Sequence, residues 1–332
     1  MHRKIRWGIL STANIAQTAI IPAIHKATNA EVVAIASANE QVKSVAESLS
    51  IPNVYKSYQD LLLDSNVDAV YIPLPNGLHA EWVKEAATHG KHILCEKPAA
   101  LNSSEMKDII QACLKNNVIF MEAFMYQFHP QHKRVKEIIA SGEIGDIKLM
   151  RSSFSFTLND LEGNIRMVPK LGGGSLYDVG SYCINTIQYI LDSEPIEVFA
   201  QAHIHEEYHV DMSTYALLKL QNDVMVSFDC SFERSFSAYY EMVGTKGKLV
   251  LPRAFTPNLY NNVGKIIVSN EQEESRVEYY EADQYVLQIE HFSNCILNKS
   301  QPMYTGEQSL KNMKVIDACF QSITAGEKVN IS

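Results

Sequence analysis

The 332-residue chain has no apolar run near the ~20 residues that a membrane-spanning helix needs, so no such helix is expected. Residues Met1–Leu10 include basic side chains but no apolar stretch long enough for a secretory signal, and their apolar positions read instead as a first buried strand. Cys-x-x-C is absent, and the six cysteines (Cys95, Cys113, Cys183, Cys230, Cys295, Cys319) are scattered. Such spacing argues against a disulfide framework and for buried thiols in a reducing compartment, placing the protein in the cytoplasm. An excess of base is also missing. The 29 Lys and Arg against 38 Asp and Glu leave a net charge of −9, which turns the chain away from nucleic acid and anionic membranes. No internal repeat, low-complexity segment or long linker interrupts it.

What is present suits a full-sized globular core, since 46% of the residues are hydrophobic and the length allows two domains. The first part alternates strand and helix. Short apolar strands are expected at Ile5–Leu10, Glu31–Ala36, Val54–Tyr55, Ala69–Ile72, His92–Cys95 and Val118–Met121. Helical spacing falls between them, at Ile15–Lys26 (with a break or kink at Pro22), Gln41–Leu49, Tyr58–Leu63, His79–Thr88 and Ser103–Asn116. This predicts a doubly wound parallel sheet covered on both faces, over residues 1–123. Residues 124–332 read as a second α/β domain on a large, mostly antiparallel sheet with one exposed face. Its strands alternate from Ile147–Phe156 to Arg276–Glu281, with helices at His132–Ser141, Leu176–Leu191, Gln284–Leu297 and Glu307–Ala325. The acidic run Glu271–Glu274 reads as a solvated turn.

The first strand leads into Ser11-Thr12-Ala13-Asn14-Ile15-Ala16, where Ser11, Ala13 and Ala16 occupy the three positions of G-x-G-x-x-G/A. Small residues let backbone approach a pyrophosphate at the helix N-terminus. With two glycines replaced, a tight turn without ligand is an equal reading of this segment alone. The second strand ends in Ala36-Ser37-Ala38-Asn39, with no acid to repel a 2′-phosphate. Ser37 can bond a ribose hydroxyl or a phosphate, and Lys43 can reach a phosphate. The cofactor is therefore NADP or NAD, with NADP favoured.

Two further segments carry chemistry. Strand His92–Cys95 runs into Glu96-Lys97-Pro98, at the carboxyl end of a parallel sheet where such folds bind ligands. Lys97 can donate to a substrate oxygen, partial burial lowers a lysine pKa, and the bond before Pro98 is able to be cis. Gly172-Gly173-Gly174 precedes Asp178 and Tyr182, which are spaced one helical turn apart. A tyrosine works as acid or base when an ammonium group lowers its pKa. Taken singly, each segment has a plainer reading: a surface lysine paired with Glu96, and a helix with a capping Asp and a core Tyr.

Five segments, in order, resemble the Gfo/Idh/MocA family of glucose–fructose oxidoreductase, inositol dehydrogenase and their relatives. They are S-T-A-N-I-A after the first strand, P-L-P-N-G-L-H at 73–79, G-K-H-I-L-C-E-K-P at 90–98, M-E-A-F-M-Y-Q-F-H-P at 121–130 and L-G-G-G-S-L-Y-D-V-G-S-Y at 171–182. The likeness covers essentially the whole chain and implies a Rossmann dinucleotide-binding domain followed by an α/β domain. Tyr182 stands where the family usually has His, which resembles the glucose–fructose oxidoreductase, dimeric dihydrodiol dehydrogenase and D-xylose dehydrogenase branch. Asn164-Ile165-Arg166 points the same way. Gln127 replaces the branch's usual Arg, which puts a nearby contact in doubt.

The resemblance implies cofactor contacts from Ser11, Thr12, Ala13, Asn14, Ile15, Ser37, Leu74, Asn76, His79, Glu96, Lys97 and Gln127. It implies substrate contacts from Lys97, Tyr126, Arg166, Asp178 and Tyr182, and a homodimer or homotetramer formed through the C-terminal sheet. Tyr182 is expected to take the hydroxyl proton of a sugar, polyol or dihydrodiol. Lys97 is the electrophile on the same oxygen and lowers the Tyr182 pKa, and Asp178 orients the substrate or Lys97. No metal is required. The cluster His203, His205 and His209 reads as a solvated strand end before a metal site; His129 and His132 read as structural. The alternative function is a nucleotide-binding regulator of the same fold without turnover.

Overall fold

The structure is a computed structural model that describes residues 3–270 and 276–331. Glu271–Glu274 thus lies outside the described residues. The chain divides into two compact units. Met1–Met125 and Tyr285–Leu310 form the first; Tyr126–Gln284 and Lys311–Ser332 form the second.

The first unit is built on β1 (Ile5–Leu10), β2 (Ala30–Ala36), β3 (Asn53–Tyr55), β4 (Ala69–Ile72), β5 (His92–Cys95) and β6 (Phe120–Glu122). They pair in parallel in the order β3-β2-β1-β4-β5-β6, the doubly wound Rossmann arrangement. All four β4 side chains are buried, as the unbroken apolar run Ala69-Val70-Tyr71-Ile72 requires of a strand covered on both faces. The crossovers contain α1 (Ile21–Lys26), α2 (Val42–Ser48), α3 (Tyr58–Leu63), α4 (Asn76–Thr88) and α5 (Ser103–Lys115). Pro22 does not break its helix. A π-helical turn at Ala16–Ile20 precedes it, so the proline falls in the first turn of α1, where its missing N–H is tolerated. Helix α4 starts at Asn76, earlier than its apolar spacing suggests, because Pro75 ends the preceding turn.

The second unit contains α6 (Pro130–Ala140), β7 (Ile147–Thr157), α7 (Ser181–Leu191), β8 (Pro195–Ile204), β9 (Asp211–Leu220), β10 (Met225–Ser231), β11 (Glu233–Gly244), β12 (Gly247–Leu251), β13 (Val263–Asn270) and β14 (Arg276–Glu281). After α8 (Gln284–Asn298) and α9 (Gly306–Ala325), β15 (Val329–Asn330) joins the same sheet. The order is β14-β13-β12-β11-β7-β10-β9-β8-β15, antiparallel except for the β7–β10 pair. Strand alternation divides the faces. Val198, Ala200, Ala216, Leu218, Val226 and Phe228 are buried, whereas Phe199, Tyr215, Leu217 and Met225 on the opposite face are exposed.

The expected division at residue 123 leaves out one feature. Tyr285–Leu310 belongs with the first unit rather than the second. Trp7 of β1 packs on Phe292 (5.6 Å between ring centroids), and its indole N–H donates to Ser293 Oγ at 3.3 Å. A buried indole needs both an apolar surface and an acceptor, and α8 supplies them.

Candidate active site

In the first unit, β1 ends at a turn in which Ser11 has φ +113°, a conformation ordinarily left to glycine. Ser11 stands at the first glycine position of the phosphate-loop pattern, so the serine takes the backbone angle that the motif demands. Its amide donates to Ala36 O at 2.9 Å, and its Oγ accepts from Ala13 N at 3.1 Å. Gln17 braces the loop by donating to Thr12 O at 2.7 Å. Among the described residues no acceptor faces the amides of Thr12, Asn14 and Ile15. These are unspent donors where a helix begins, and they fit a dinucleotide pyrophosphate. At the end of β2, Ser37 is buried and its Oγ accepts from Asn39 N at 3.1 Å, while Lys43 is exposed. Ala38 and Asn39 follow, also exposed, with no carboxylate at the strand end itself.

The Glu96–Pro98 loop leaves β5 beside the carboxyl end of β4. The Lys97–Pro98 bond is cis, and Lys97 is half-buried. Tyr71 Oη donates to Glu96 Oε1 at 2.6 Å, so Glu96 has an anchoring partner on β4. Leu74 and Asn76 follow β4 around the Pro75 turn. His79, the expected cofactor contact on α4, lies between the two loops. Its ring is fully buried, with Nδ1 2.8 Å from Pro98 O and Nε2 2.8 Å from Leu74 O. It therefore ties the two loops together from beneath. Burial pushes its pKa down to about 4, against the two carbonyls, which favour the charged ring.

In the second unit, the glycine run is shaped by two partners. Gly174 N donates to Arg166 O at 2.9 Å, and Gly174 has φ +107°. A Cβ on Gly174 would collide with Asp211 Oδ1, and one on Gly173 would lie 2.5 Å from Arg166 O. Sequence reading missed Asp211, which is buried. Its Oδ2 accepts from Ser175 Oγ (2.7 Å), Leu176 N (2.8 Å) and Thr214 Oγ1 (2.8 Å). It thereby fixes the start of the helical segment that carries Asp178 and Tyr182. That segment opens with a π-helical turn at Leu176–Gly180, which runs on into α7 and places Asp178 ahead of Tyr182.

Tyr182 is 7% exposed and sits among Phe154, Phe255 and Tyr126, at centroid distances of 5.3, 5.6 and 6.0 Å. Arg166 Nε donates to Asp178 Oδ2 at 2.6 Å. Asp178 holds the Arg166 guanidinium above its usual range, and Tyr182 acts in the same direction. Arg166 is thus within electrostatic reach of the Tyr182 phenol. Its Nη groups make no hydrogen bond among the described residues, whereas Lys170 is exposed.

Two further expected contacts belong to the second unit. Tyr126, expected against the substrate, is fully buried, donates to Asn185 Oδ1 at 2.5 Å and packs against the Tyr182 ring. Gln127, expected against the cofactor, is also buried and donates to the same Oδ1 at 2.7 Å. A neutral amide fills a space within the second unit where an arginine would have needed a counter-charge. His132 lies between Tyr240 Oη and Ala254 O, both at 3.0 Å, and burial pushes its pKa down to about 3. His129 caps α6, and His203 pairs with Glu233 at 2.9 Å. No group of three or more His, Cys, Asp or Glu placed to hold a metal occurs among the described residues. A cleft of about 740 Å³ lined by Arg3, Lys91, His92 and Lys299 lies at the amino ends of the first sheet, opposite the Lys97 loop, and no site residue lines it.

A family profile described as "Oxidoreductase family, NAD-binding Rossmann fold" matches residues 5–124, and one described as "GFO/IDH/MocA C-terminal domain" matches residues 132–250. The chain belongs to the Gfo/Idh/MocA oxidoreductase family. D-xylose 1-dehydrogenase (NADP(+)) 2 of Haloferax volcanii is 36% identical over 98% of this chain and 99% of its own length. The dTDP-3,4-didehydro-2,6-dideoxy-alpha-D-glucose 3-reductase of Actinomadura kijaniata is 32% identical, with 95% and 94% covered. A crystal structure of the 3-ketoreductase from that organism, in complex with NADP and TDP-benzene, has a TM-score of 0.90 at 30% identity and covers 96% of this chain and 98% of its own. The protein is a member of this family of NAD(P)-dependent oxidoreductases.

Proposed function

We propose that the protein transfers hydride between NADP and a secondary alcohol or hemiacetal carbon of an uncharged sugar or polyol. Tyr182 is the acid–base group and Lys97 the electrophile. The carrying observation is the setting of Tyr182: a phenol packed by three aromatic rings, in the segment that holds the Arg166–Asp178 pair. A nicotinamide cofactor, when bound, would supply the hydride acceptor. The amides of Thr12, Asn14 and Ile15 would hold its pyrophosphate, and Ser37 would meet the adenosine ribose. In oxidation Tyr182 takes the hydroxyl proton, and Lys97 donates to the same oxygen to stabilise its developing charge. The aromatic walls exclude water from the phenol.

A missing acid at the end of β2 supports NADP, as does the NADP(+) dependence named for the xylose dehydrogenase relative. Substrates without a phosphate are favoured because Arg166 is already balanced by Asp178. Six unpaired, buried cysteines support a cytoplasmic location. The exposed apolar face of the nine-stranded sheet supports a homodimer or homotetramer.

The test is a panel of aldoses, inositols and other polyols with NADP and NAD, followed at the nicotinamide absorbance, with Tyr182→Phe beside the wild type. Turnover should fall by about a hundred- to ten-thousand-fold in the variant while nucleotide binding persists. Turnover by the variant close to wild type would remove Tyr182 from the chemistry. Failure of every substrate would favour the non-catalytic regulator.

A further inference from the structure

Glu122 ends β6, directly opposite Cys95 in the sheet register, and its side chain is 2% exposed. Oε1 accepts from Ala99 N at 2.9 Å. That amide belongs to the loop containing Glu96, Lys97 and Pro98, so a buried carboxyl is tethered to the backbone two residues beyond Lys97. Lys97 lies within electrostatic reach of it.

Resting on the reading of Lys97 as the electrophile, we propose that Glu122 is a positioning residue for Lys97. Its carboxyl holds the loop through Ala99 and places a buried counter-charge within electrostatic reach of the Lys97 amine.

The surroundings make the carboxyl sensitive to pH. Burial pushes it up to about 7, while the Ala99 amide and the Lys97 charge pull it down and Glu96 pushes it up. The Cys95 thiol on β5 completes the ionisable groups facing it, and Ser309 on the first turn of α9 stands near without meeting hydrogen-bond geometry. A protonated Glu122 keeps its hold on Ala99 but no longer offsets the Lys97 charge. Loop placement and charge balance are therefore separable.

Glu122→Gln separates them, because the amide oxygen still accepts from Ala99 while the charge is gone. The experiment uses the full chain without substrate and measures acylation of Lys97 by trace acetic anhydride at pH 7 to 8, read by mass spectrometry against the exposed Lys170. The expected result is a severalfold faster Lys97 reaction in Glu122→Gln, with Glu122→Asp lying nearer the wild type. Equal Lys97 reactivity in all three proteins overturns the proposal. If Glu122→Gln does not fold, Glu122→Asp against the wild type across the same pH range decides it: parallel Lys97 profiles overturn the coupling, and divergent ones support it. Labelling needs no turnover, so an inactive sugar panel would count against the dehydrogenase reading and leave this result standing. Where turnover is found, kcat should fall about tenfold in Glu122→Gln with KM little changed.

Discussion

Arg166 donates from Nε to Asp178 Oδ2 at 2.6 Å, and the guanidinium lies within electrostatic reach of Tyr182. The two charges oppose each other at the phenol. Removing Asp178 leaves a cation beside it, and removing Arg166 leaves an anion. In pH–rate profiles, the limb assigned to Tyr182 should therefore move to lower pH in Asp178→Asn and to higher pH in Arg166→Ala. At mid-range pH, Arg166→Ala should lose roughly ten- to a hundredfold in kcat/KM. Movement in the same direction in both variants would show the pair to be only structural.

The cofactor preference has its own test at Ser37. A carboxylate at the end of the second Rossmann strand bonds the ribose hydroxyls and repels a 2′-phosphate. Ser37→Asp should weaken NADP binding by roughly tenfold or more, about 1.4 kcal/mol, while NAD binding holds or improves. Titration of both nucleotides by fluorescence quenching reads this directly. Equal weakening of both would mean that Ser37 does not face the ribose.

Asp211 governs the stability of the glycine-run segment. Truncation to Ala leaves Ser175 Oγ, Leu176 N and Thr214 Oγ1 buried without their acceptor, at a cost of ~2–4 kcal/mol. Chemical denaturation should show that loss. Burial pushes the Asp211 pKa from 3.8 to about 6, against the three donors that pull it down. The folded chain then holds this proton more tightly than the unfolded chain. Its stabilising contribution is full below pH 3.8 and is lost as pH rises through about 6. The stability advantage of wild type over Asp211→Asn should shrink across that window, and an advantage that grows instead would mean that the three donors outweigh burial.

The sheets were legible because their signal is local. Ala69-Val70-Tyr71-Ile72 is apolar at every position and is a strand buried on both faces, while β8 and β9 alternate and have one face exposed. Lys97 and Tyr182 were legible as parts of motifs. Their supports were not, because each is made at long range. Asp211 reaches back to Ser175, Glu122 to Ala99, and Asn185 to Tyr126 and Gln127, and none of these pairings leaves a pattern in sequence. Tyr126 and Gln127 were read from the motif they stand in, and that motif gives no sign that both donate to Asn185. The return of Tyr285–Leu310 to the first unit depends on which surface Trp7 needs covered, which α8 spacing cannot report.

The exposed face of the second sheet bears on assembly. Phe199 pairs with Leu217 and Leu217 with Ser227, so Phe199, Tyr215, Leu217 and Met225 share one face across β8, β9 and β10. They are 36, 52, 55 and 50% exposed, a clustering of large apolar side chains that an isolated sheet face seldom leaves in water. Arg234 lies 5.2 Å over the Tyr215 ring and pairs with Asp229 at 2.5 Å, which sets a polar margin beside the apolar centre. A second copy of the chain suits such a surface, because a twofold axis brings the same patch against itself. Leu217→Glu sets like charges against each other across that axis. Sedimentation velocity should give a dimer or tetramer for the wild type and a shift towards monomer in the variant. Far-ultraviolet circular dichroism should stay unchanged, because Leu217 contributes nothing to the buried face of its own sheet. A monomeric wild type, or an assembly indifferent to Leu217→Glu, would place the subunit contact elsewhere.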